Sequence, residues 1–133
     1  MRYLLDTHII IWMLENNAKL SDKVRTIIND ADNQVFYSTV SIWETSIKKM
    51  AHPDQINLSG SKLSELCSAS GLNALPIYNR HIRSLEMLDT DNTSIHKDPF
   101  DRMLIAQAKS DNMILITHDS KIAEYNEKCI MRI

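Results

Sequence analysis

The sequence predicts an α/β fold in which a central parallel sheet is covered by helices on both faces. Short, nearly continuous apolar runs alternate along the chain with longer segments whose apolar residues recur at helical spacing. Strands of a parallel sheet are buried on both faces, so their sequences have uniform apolar runs rather than alternating ones. Strands separated by helices are also the pattern that places consecutive strands side by side in one sheet.

The first strand is predicted at residues 2–5, which are mostly apolar. Residues 7–15 are too long and too uniformly apolar for a half-buried strand, so we predict a helix there after a sharp turn. Ser21 is a suitable N-cap for a second helix, which should continue to about Ala31.

β-branched and aromatic residues predict the second strand at residues 34–38. Thr39 or Ser41 can cap the helix that follows, and this helix should extend to Met50. Glu44 would then fall in its first turn.

The next predicted helix covers residues 59–70 and stops at Gly71, which favours a left-handed backbone after a helix. A strand at residues 72–77 and a helix at residues 78–88 should follow. This helix is expected to direct three aliphatic side chains inward, namely Ile82, Leu85 and Leu88.

A polar stretch at residues 89–97 contains turn-forming residues, and it leads to Asp98 as an N-cap with Pro99 in the first helical position. The remaining predicted elements are a helix at residues 100–110, a strand at residues 113–116, a short helix at residues 120–125 and a final strand at residues 129–133.

Composition is that of an ordinary globular protein, with 133 residues, 44% hydrophobic and 24% charged. This length predicts one domain over residues 1–133. The net charge of −2 argues against a protein that coats nucleic acid through a basic surface. It does not argue against an enzyme whose bound cations attract a phosphate locally.

The two cysteines, Cys67 and Cys129, are far apart and form no CxxC motif, so buried reduced thiols are expected. Neither a signal peptide nor an apolar run long enough to cross a membrane is apparent. We therefore expect a cytoplasmic protein without a membrane partner.

Four carboxylates lie where apolar runs stop, at Asp6, Glu44, Asp101 and Asp119. The carboxyl ends of parallel strands meet at one edge of the sheet, where ligands bind. Acids gathered there would repel one another strongly unless a cation is present. Mg²⁺ or Mn²⁺ suits a site that offers only oxygen ligands, and such a site can hydrolyse a phosphodiester by activating water.

Each acid also has a simpler explanation when it is taken alone. Glu44 could complement the dipole of its helix, an effect of about 0.3–1 kcal/mol. Asp101 could complete a capping arrangement with Asp98, and Asp119 could cap the following helix. Asp6 has no such explanation, because nothing at the end of an N-terminal strand demands an acid.

Taken together, four segments resemble the PIN-domain ribonucleases and, within them, the VapC-type toxins of bacterial toxin–antitoxin pairs. The segments are residues 4–8 (LLDTH), 40–44 (VSIWE), 96–108 (HKDPFDRMLIAQA) and 117–119 (THD). The third segment is the most specific, and the four span nearly the whole chain.

The resemblance implies a three-layer α/β/α sandwich, metal-dependent endoribonuclease activity, a homodimer and inhibition by a small antitoxin. Asp6 and Asp101 would be the main Mg²⁺ or Mn²⁺ ligands, Glu44 a third acid, and Asp119 a fourth that can act through water. The hydroxyls of Thr7 and Thr117 would orient these acids. Asp98 could contact metal or only cap its helix, and the cap is the favoured interpretation.

Other polar and aromatic residues near these motifs have less defined roles. Arg102 could bind a phosphate or pair with a neighbouring acid. Surface or supporting roles are expected for the histidines beside the acids, because hard metal ions have little use for imidazole. These histidines are His8, His96 and His118. Core or dimer-interface positions are expected for the tryptophans at helical spacing, Trp12 and Trp43.

Two other functional classes are compatible with parts of this pattern. A receiver-type phosphotransfer domain also has aspartates at strand ends, but it requires an acidic pair after the first strand and a lysine after the last. This chain lacks both features. An inactive interaction module would keep the fold without needing the acids.

Overall fold

The computed structural model describes residues 1–88 and 98–133, which form five strands and seven helices. The strands are β1 (Arg2–Leu5), β2 (Gln34–Ser38), β3 (Asn73–Leu75), β4 (Ile114–Thr117) and β5 (Ile130–Arg132). The helices are α1 (Thr7–Leu14), α2 (Asp22–Asn29), α3 (Thr39–Ala51), α4 (Gly60–Ala69), α5 (Asn79–Glu86), α6 (Pro99–Ser110) and α7 (Ser120–Ala123). This alternation agrees with the predicted order of elements.

The five strands form one parallel sheet in the order β3-β2-β1-β4-β5. The central strand β1 pairs with β2 on one side and β4 on the other, and Leu5 faces Tyr37 and Ile116 in these two ladders. Strand order therefore changes direction at β1. In open α/β sheets, such a switch point leaves a crevice at the carboxyl ends of the strands.

The side chains of β1 alternate between two cores, one on each face of the sheet. Leu4 belongs to a core that includes Leu104 of α6. Leu5 belongs to the other core, with Ile9 of α1 and Leu63 of α4. All five side chains are fully buried. Helices thus cover both faces, and the predicted α/β/α sandwich with a central parallel sheet is confirmed.

The N-cap of α3 differs from the prediction, because the cap is neither Thr39 nor Ser41. Ser38 is the cap, and its Oγ accepts a hydrogen bond from the backbone N–H of Val40 at 3.0 Å. Consequently Glu44 lies beyond the first turn of the helix. The prediction that Glu44 occupies that turn is wrong, and so its explanation as a dipole complement loses its geometric basis.

Ile82 was expected to face the core, but it is 44% exposed. The inward face of α5 instead carries the fully buried His81, and Leu85 four residues later packs against the core. Ile82 is one residue beyond His81, which rotates it by about 100° away from that face. Trp43 is likewise exposed rather than part of the core, and it makes an edge contact with Phe100.

Both cysteines are free thiols, as predicted. Cys67 is buried and Cys129 is partly buried, and burial raises the pKa of each thiol to about 11. The predicted turn at residues 89–97, which includes His96, lies outside the described residues. Among the described helices, none combines the length and apolar character needed to cross a membrane.

Candidate active site

A cavity of about 230 Å³ opens at the carboxyl edge of the sheet, beside the point where strand order changes direction. Its lining contains all four carboxylates proposed from the sequence together with the additional acid Asp98. The lining residues are Asp6, Thr7, His8, Glu44, Lys48, Asp98, Asp101, Asp119 and Lys121. We refer to this cavity as the acid pocket. It joins segments that are more than a hundred residues apart in sequence.

Asp6 follows β1 directly and is only 7% exposed. Its carboxylate accepts hydrogen bonds from the Thr7 backbone N–H at 2.7 Å and from Thr117 Oγ1 at 2.8 Å. The first of these bonds makes Asp6 the N-cap of α1. An acid at this position therefore has a capping role that the sequence analysis did not recognise. Burial nevertheless raises the pKa of Asp6 above its ordinary value, and the two hydrogen bonds oppose that shift.

Glu44 enters the pocket from α3 and is 7% exposed. Its Oε1 accepts a hydrogen bond from Thr7 Oγ1 at 2.9 Å, and its Oε2 lies 3.0 Å from Lys48 Nζ. Thr7 Oγ1 is also 2.8 Å from Ser41 Oγ. Because a carboxylate can only accept, the single Thr7 hydroxyl proton goes to Glu44, and Ser41 donates to Thr7. Thr7 thus orients Glu44, as the sequence suggested.

Asp101 lies in the first turn of α6, as predicted. Its pKa is raised to about 8, first by burial and then by repulsion from Asp98, Asp6, Glu44 and Asp119. Asp98 caps the helix, because its carboxylate accepts a hydrogen bond from the Asp101 backbone N–H at 3.0 Å. Asp98 therefore has the predicted capping role, and it also lines the pocket, so contact with a metal remains the other role considered for it.

Asp119 caps the short helix α7 by accepting a hydrogen bond from the Lys121 backbone N–H at 2.7 Å. Its own backbone N–H donates to Thr117 Oγ1 at 3.0 Å. The Thr117 hydroxyl therefore donates to Asp6 and accepts from Asp119 at the end of β4. The capping explanation of Asp119 is correct, and it coexists with a position in the pocket.

The donors in this pocket suit a hard divalent cation, since they are carboxylate oxygens without thiolate or buried imidazole ligands. A cation would also relieve the repulsion that raises the pKa of Asp101. However, no three His, Cys, Asp or Glu side chains in the described part of the chain are arranged to hold one ion between them. A cation held by three of these carboxylates at once would require their side chains to move.

The other polar residues considered from the sequence have mostly peripheral positions. His8 is exposed at the pocket and lowers the pKa of Asp6 through its charge, a smaller effect than burial. His118 is exposed, donates a hydrogen bond from Nδ1 to Ile133 O at 2.8 Å and packs edge-on against Trp12. Arg102 donates from Nε to Tyr125 Oη at 2.8 Å.

Two lysines of the pocket were not predicted from the sequence. Lys48 could have been found from its spacing, because side chains four residues apart on a helix are neighbours and Lys48 follows Glu44 by four. Lys121 carries no comparable signal. It reaches the pocket only because α7 begins next to β4 at the same edge of the sheet.

A larger cleft of about 590 Å³ lies at the opposite, amino-terminal edge of the sheet. Its charged residues include Arg2, Lys109 and Glu127. Lys109 and Glu127 form an ion pair at 3.0 Å, and Arg2 and Lys128 leave the lining with a net positive charge. Because clustered acids are found at the smaller cavity, the acid pocket is the better candidate for chemistry.

The sequence matches the family model for the PIN domain over residues 3–128. No curated protein matches it significantly in sequence. Its fold is shared with several solved structures. VapBC2 from Rickettsia felis, bound to a promoter DNA fragment, has a TM-score of 0.73 at 15% identity. DNA-bound VapBC from Salmonella typhimurium has a TM-score of 0.72 at 16% identity.

The third structure is VapBC-5 from Mycobacterium tuberculosis, a member of the VapBC family of toxin–antitoxin systems, with a TM-score of 0.67 at 19% identity. Each comparison covers 99% of this chain and 98% of the other. At these identities the likeness shows a shared fold, whereas the family model matches nearly the entire sequence. The chain belongs to the PIN domain family.

Proposed function

We propose that this protein is a Mg²⁺- or Mn²⁺-dependent endoribonuclease that acts as the toxin of a toxin–antitoxin pair. The observation that carries the proposal is the acid pocket, where four carboxylates from distant segments line one cavity, and burial together with repulsion among the acids raises the pKa of Asp101 to about 8. Membership of the PIN domain family supports a nuclease role. It argues against the receiver-type phosphotransfer alternative.

In this proposal Asp6 and Asp101 hold the cation, with Glu44 as a third acid and Asp119 as a fourth. Thr7 and Thr117 keep Glu44 and Asp6 oriented through the hydrogen bonds described above. A bound Mg²⁺ or Mn²⁺ stabilises negative charge on a phosphodiester and lowers the pKa of water. Carboxylates that do not bind the cation directly are placed to orient the attacking water and accept its proton.

The toxin role is supported by structural likeness to toxin–antitoxin proteins such as VapBC-5. A protein partner is further supported by exposed apolar side chains on one face of α3, since such groups mark interaction surfaces. They are Trp43, Ile47 and Met50, with exposed fractions of 53%, 44% and 78%. We propose a small antitoxin and a second copy of the chain as partners, in a cytoplasmic protein.

Substitution of the two strongest candidates tests the catalytic proposal. Asp6→Asn and Asp101→Asn should each lower the rate of RNA cleavage by at least about a hundredfold, because each removes a charge on which the cation depends. Both variants should also lose growth inhibition in cells that express them. Asp32→Asn, which changes an exposed aspartate distant from the pocket lining, is the matched control.

Circular dichroism establishes that each variant is folded before the rates are compared. Unchanged cleavage by both pocket variants would contradict the proposed site, whereas absence of RNA cleavage by the folded wild-type protein would favour the inactive interaction module. A DNA oligonucleotide of the same sequence tests substrate class, and equal cleavage of DNA would contradict specificity for RNA. Titration with Mn²⁺ tests the ligands, since binding should disappear in Asp6→Asn and persist in Asp32→Asn.

A further inference from the structure

Lys48 lies on α3 one turn after Glu44, and both residues line the acid pocket. Its ammonium is 3.0 Å from Glu44 Oε2, while Thr7 donates to Oε1. Both oxygens of this carboxylate are therefore engaged by donors from the chain itself. A metal ion that binds Glu44 Oε2 therefore has to share this oxygen with the Lys48 ammonium or displace it.

The two donors on Glu44 differ in how easily they can leave. Thr7 is buried and its hydroxyl is also bonded to Ser41, so it is fixed in place. The Lys48 side chain is 54% exposed, and its flexible stem can turn into solvent without opening the core. Of the two, Lys48 is the exchangeable donor.

We infer that Lys48 is a built-in counter-cation of the acid pocket, which occupies Glu44 in the metal-free protein and is displaced when a divalent cation binds. This inference rests on the metal site of the proposed function. Two effects of Lys48 oppose the incoming ion. The ammonium competes for Glu44 Oε2, and its positive charge repels the ion at short range. Lys48 thereby weakens metal binding while it limits carboxylate repulsion in the metal-free protein.

A purely structural role for this ion pair would have a different consequence. Glu and Lys four residues apart stabilise a helix by only about 0.2–0.5 kcal/mol, and loss of that stabilisation would not tighten metal binding. The chain offers a matched pair for comparison. Lys62 and Glu65 on α4 are 3.7 Å apart, both are exposed, and neither lines the pocket.

The test is a calorimetric titration of Mn²⁺ into the metal-free protein at pH 7 and low salt. Lys48→Met should bind Mn²⁺ roughly tenfold more tightly than the wild type, because competition and repulsion are both removed. Lys48→Arg keeps the charge and should remain within about threefold of the wild type. Lys62→Met removes an equal charge elsewhere and should change the affinity by less than about twofold.

A double-mutant cycle with Glu44→Gln separates competition from general charge. In that background Lys48→Met should gain less than about threefold, since the carboxylate for which Lys48 competes is gone. An equal gain in both backgrounds would overturn the exchange mechanism. Circular dichroism and thermal unfolding in EDTA verify that the variants fold, and Lys48→Gln provides a second neutral substitution.

The two proposals fail in distinguishable ways. If the wild type and all variants fail to bind Mn²⁺, the metal site of the proposed function is wrong, and the inference fails with it. If the wild type binds Mn²⁺ and loses it in Asp6→Asn, but Lys48→Met binds no more tightly, only the role of Lys48 is refuted.

Discussion

The two ends of α6 carry the same type of side chain in opposite electrostatic surroundings. At its start, Asp101 lies among other carboxylates, and burial and repulsion raise its pKa to about 8. At its end, the C-cap residue Asp111 accepts two hydrogen bonds from Arg80, at 2.8 Å and 3.0 Å. His81 Nε2 lies 3.0 Å from the same carboxylate. These contacts with Arg80 and His81 hold the pKa of Asp111 well below its usual range.

The helix dipole alone would produce the reverse result. A negative charge is favoured at the start of a helix and disfavoured at its end, by about 0.3–1 kcal/mol at most exposed sites. Burial and neighbouring acids therefore outweigh the dipole at the start of α6, and the contacts with Arg80 and His81 outweigh it at the end. The fold provides hydrogen-bond donors for Asp111, whereas it brings further acids to Asp101. A carboxylate whose charged form is disfavoured by its surroundings in the metal-free protein is typical of a functional site.

The buried histidine at the far end has a defined tautomer. His81 Nδ1 accepts a hydrogen bond from the Tyr78 backbone N–H at 3.0 Å, so the ring proton is on Nε2 and is donated to Asp111. This side chain thus connects the start of α5 to the end of α6. An imidazole can bind a metal ion at other sites, but the His81 imidazole has a structural role here.

The largest stability difference is expected between asparagine substitutions at the two ends. Asp111→Asn should lower the free energy of unfolding by about 2–4 kcal/mol, because it leaves the contacts of Arg80 and the buried His81 without a charge partner. Asp101→Asn should leave the metal-free protein equally or more stable, since it removes repulsion in the pocket. Urea unfolding in EDTA measures both values, and a larger loss for Asp101→Asn would contradict the comparison.

A change of pH is expected to have a smaller effect on the free energy of unfolding. Asp101 has a raised folded-state pKa, so the native protein binds its proton more tightly than the unfolded chain does. This contribution to stability is present at low pH and is lost as pH rises from about 4, the ordinary aspartate pKa, to about 8. After allowance for partial solvation, the loss should be about 1–2 kcal/mol in EDTA.

Asp111 has the opposite dependence, because its lowered folded-state pKa stabilises the protein above the ordinary aspartate pKa of about 3.9 and ceases to do so as pH falls below it. Stability measured between pH 5 and 8 therefore excludes the contribution of Asp111. The decline in the free energy of unfolding as pH rises should be reduced in Asp101→Asn and retained in Asp32→Asn. A decline of equal size in Asp101→Asn would show that another group causes it.

The smallest effect is expected for the exposed part of the Asp111 cluster. Arg80→Gln should lower the free energy of unfolding by much less than Asp111→Asn does, because the Arg80 side chain is 48% exposed and its ion pair is screened by solvent. It should also raise the pKa of Asp111, so acid unfolding should occur at a higher pH than in the wild type. A loss as large as that of Asp111→Asn would mean that Arg80, rather than His81, provides most of the stabilisation.

Local patterns in the sequence predicted most of the fold. The boundaries of β1 and β2 agree with the prediction because their apolar runs end at distinct polar residues. The cap of α3 was misassigned because Ser38, Thr39 and Ser41 all carry suitable hydroxyls, and only the backbone geometry distinguishes them. Ile82 was misassigned because the inward position is occupied by a polar residue, His81. The side chain of His81 is hydrogen-bonded there to Asp111, which is thirty residues away in sequence.

The site could be predicted in part for a related reason. Asp6 and Asp119 follow strands whose ends share one edge, so a sequence pattern and a rule of topology suffice to bring them together. No sequence pattern indicated the cluster around Asp111, because Asp111 is thirty residues from His81 and does not follow a strand. Ser38 and Gln107 are another example, with a buried 2.5 Å hydrogen bond across 69 residues.

The central position of β1 has a consequence for the order in which the protein is made. The first carboxylate of the pocket follows the first strand, but the strand that flanks it on one side, β4, begins only at Ile114. Asp101 and Asp119 are also translated last among the pocket acids. A ribosome-bound chain therefore has no complete pocket until its final third has been synthesised and β4 has docked beside β1.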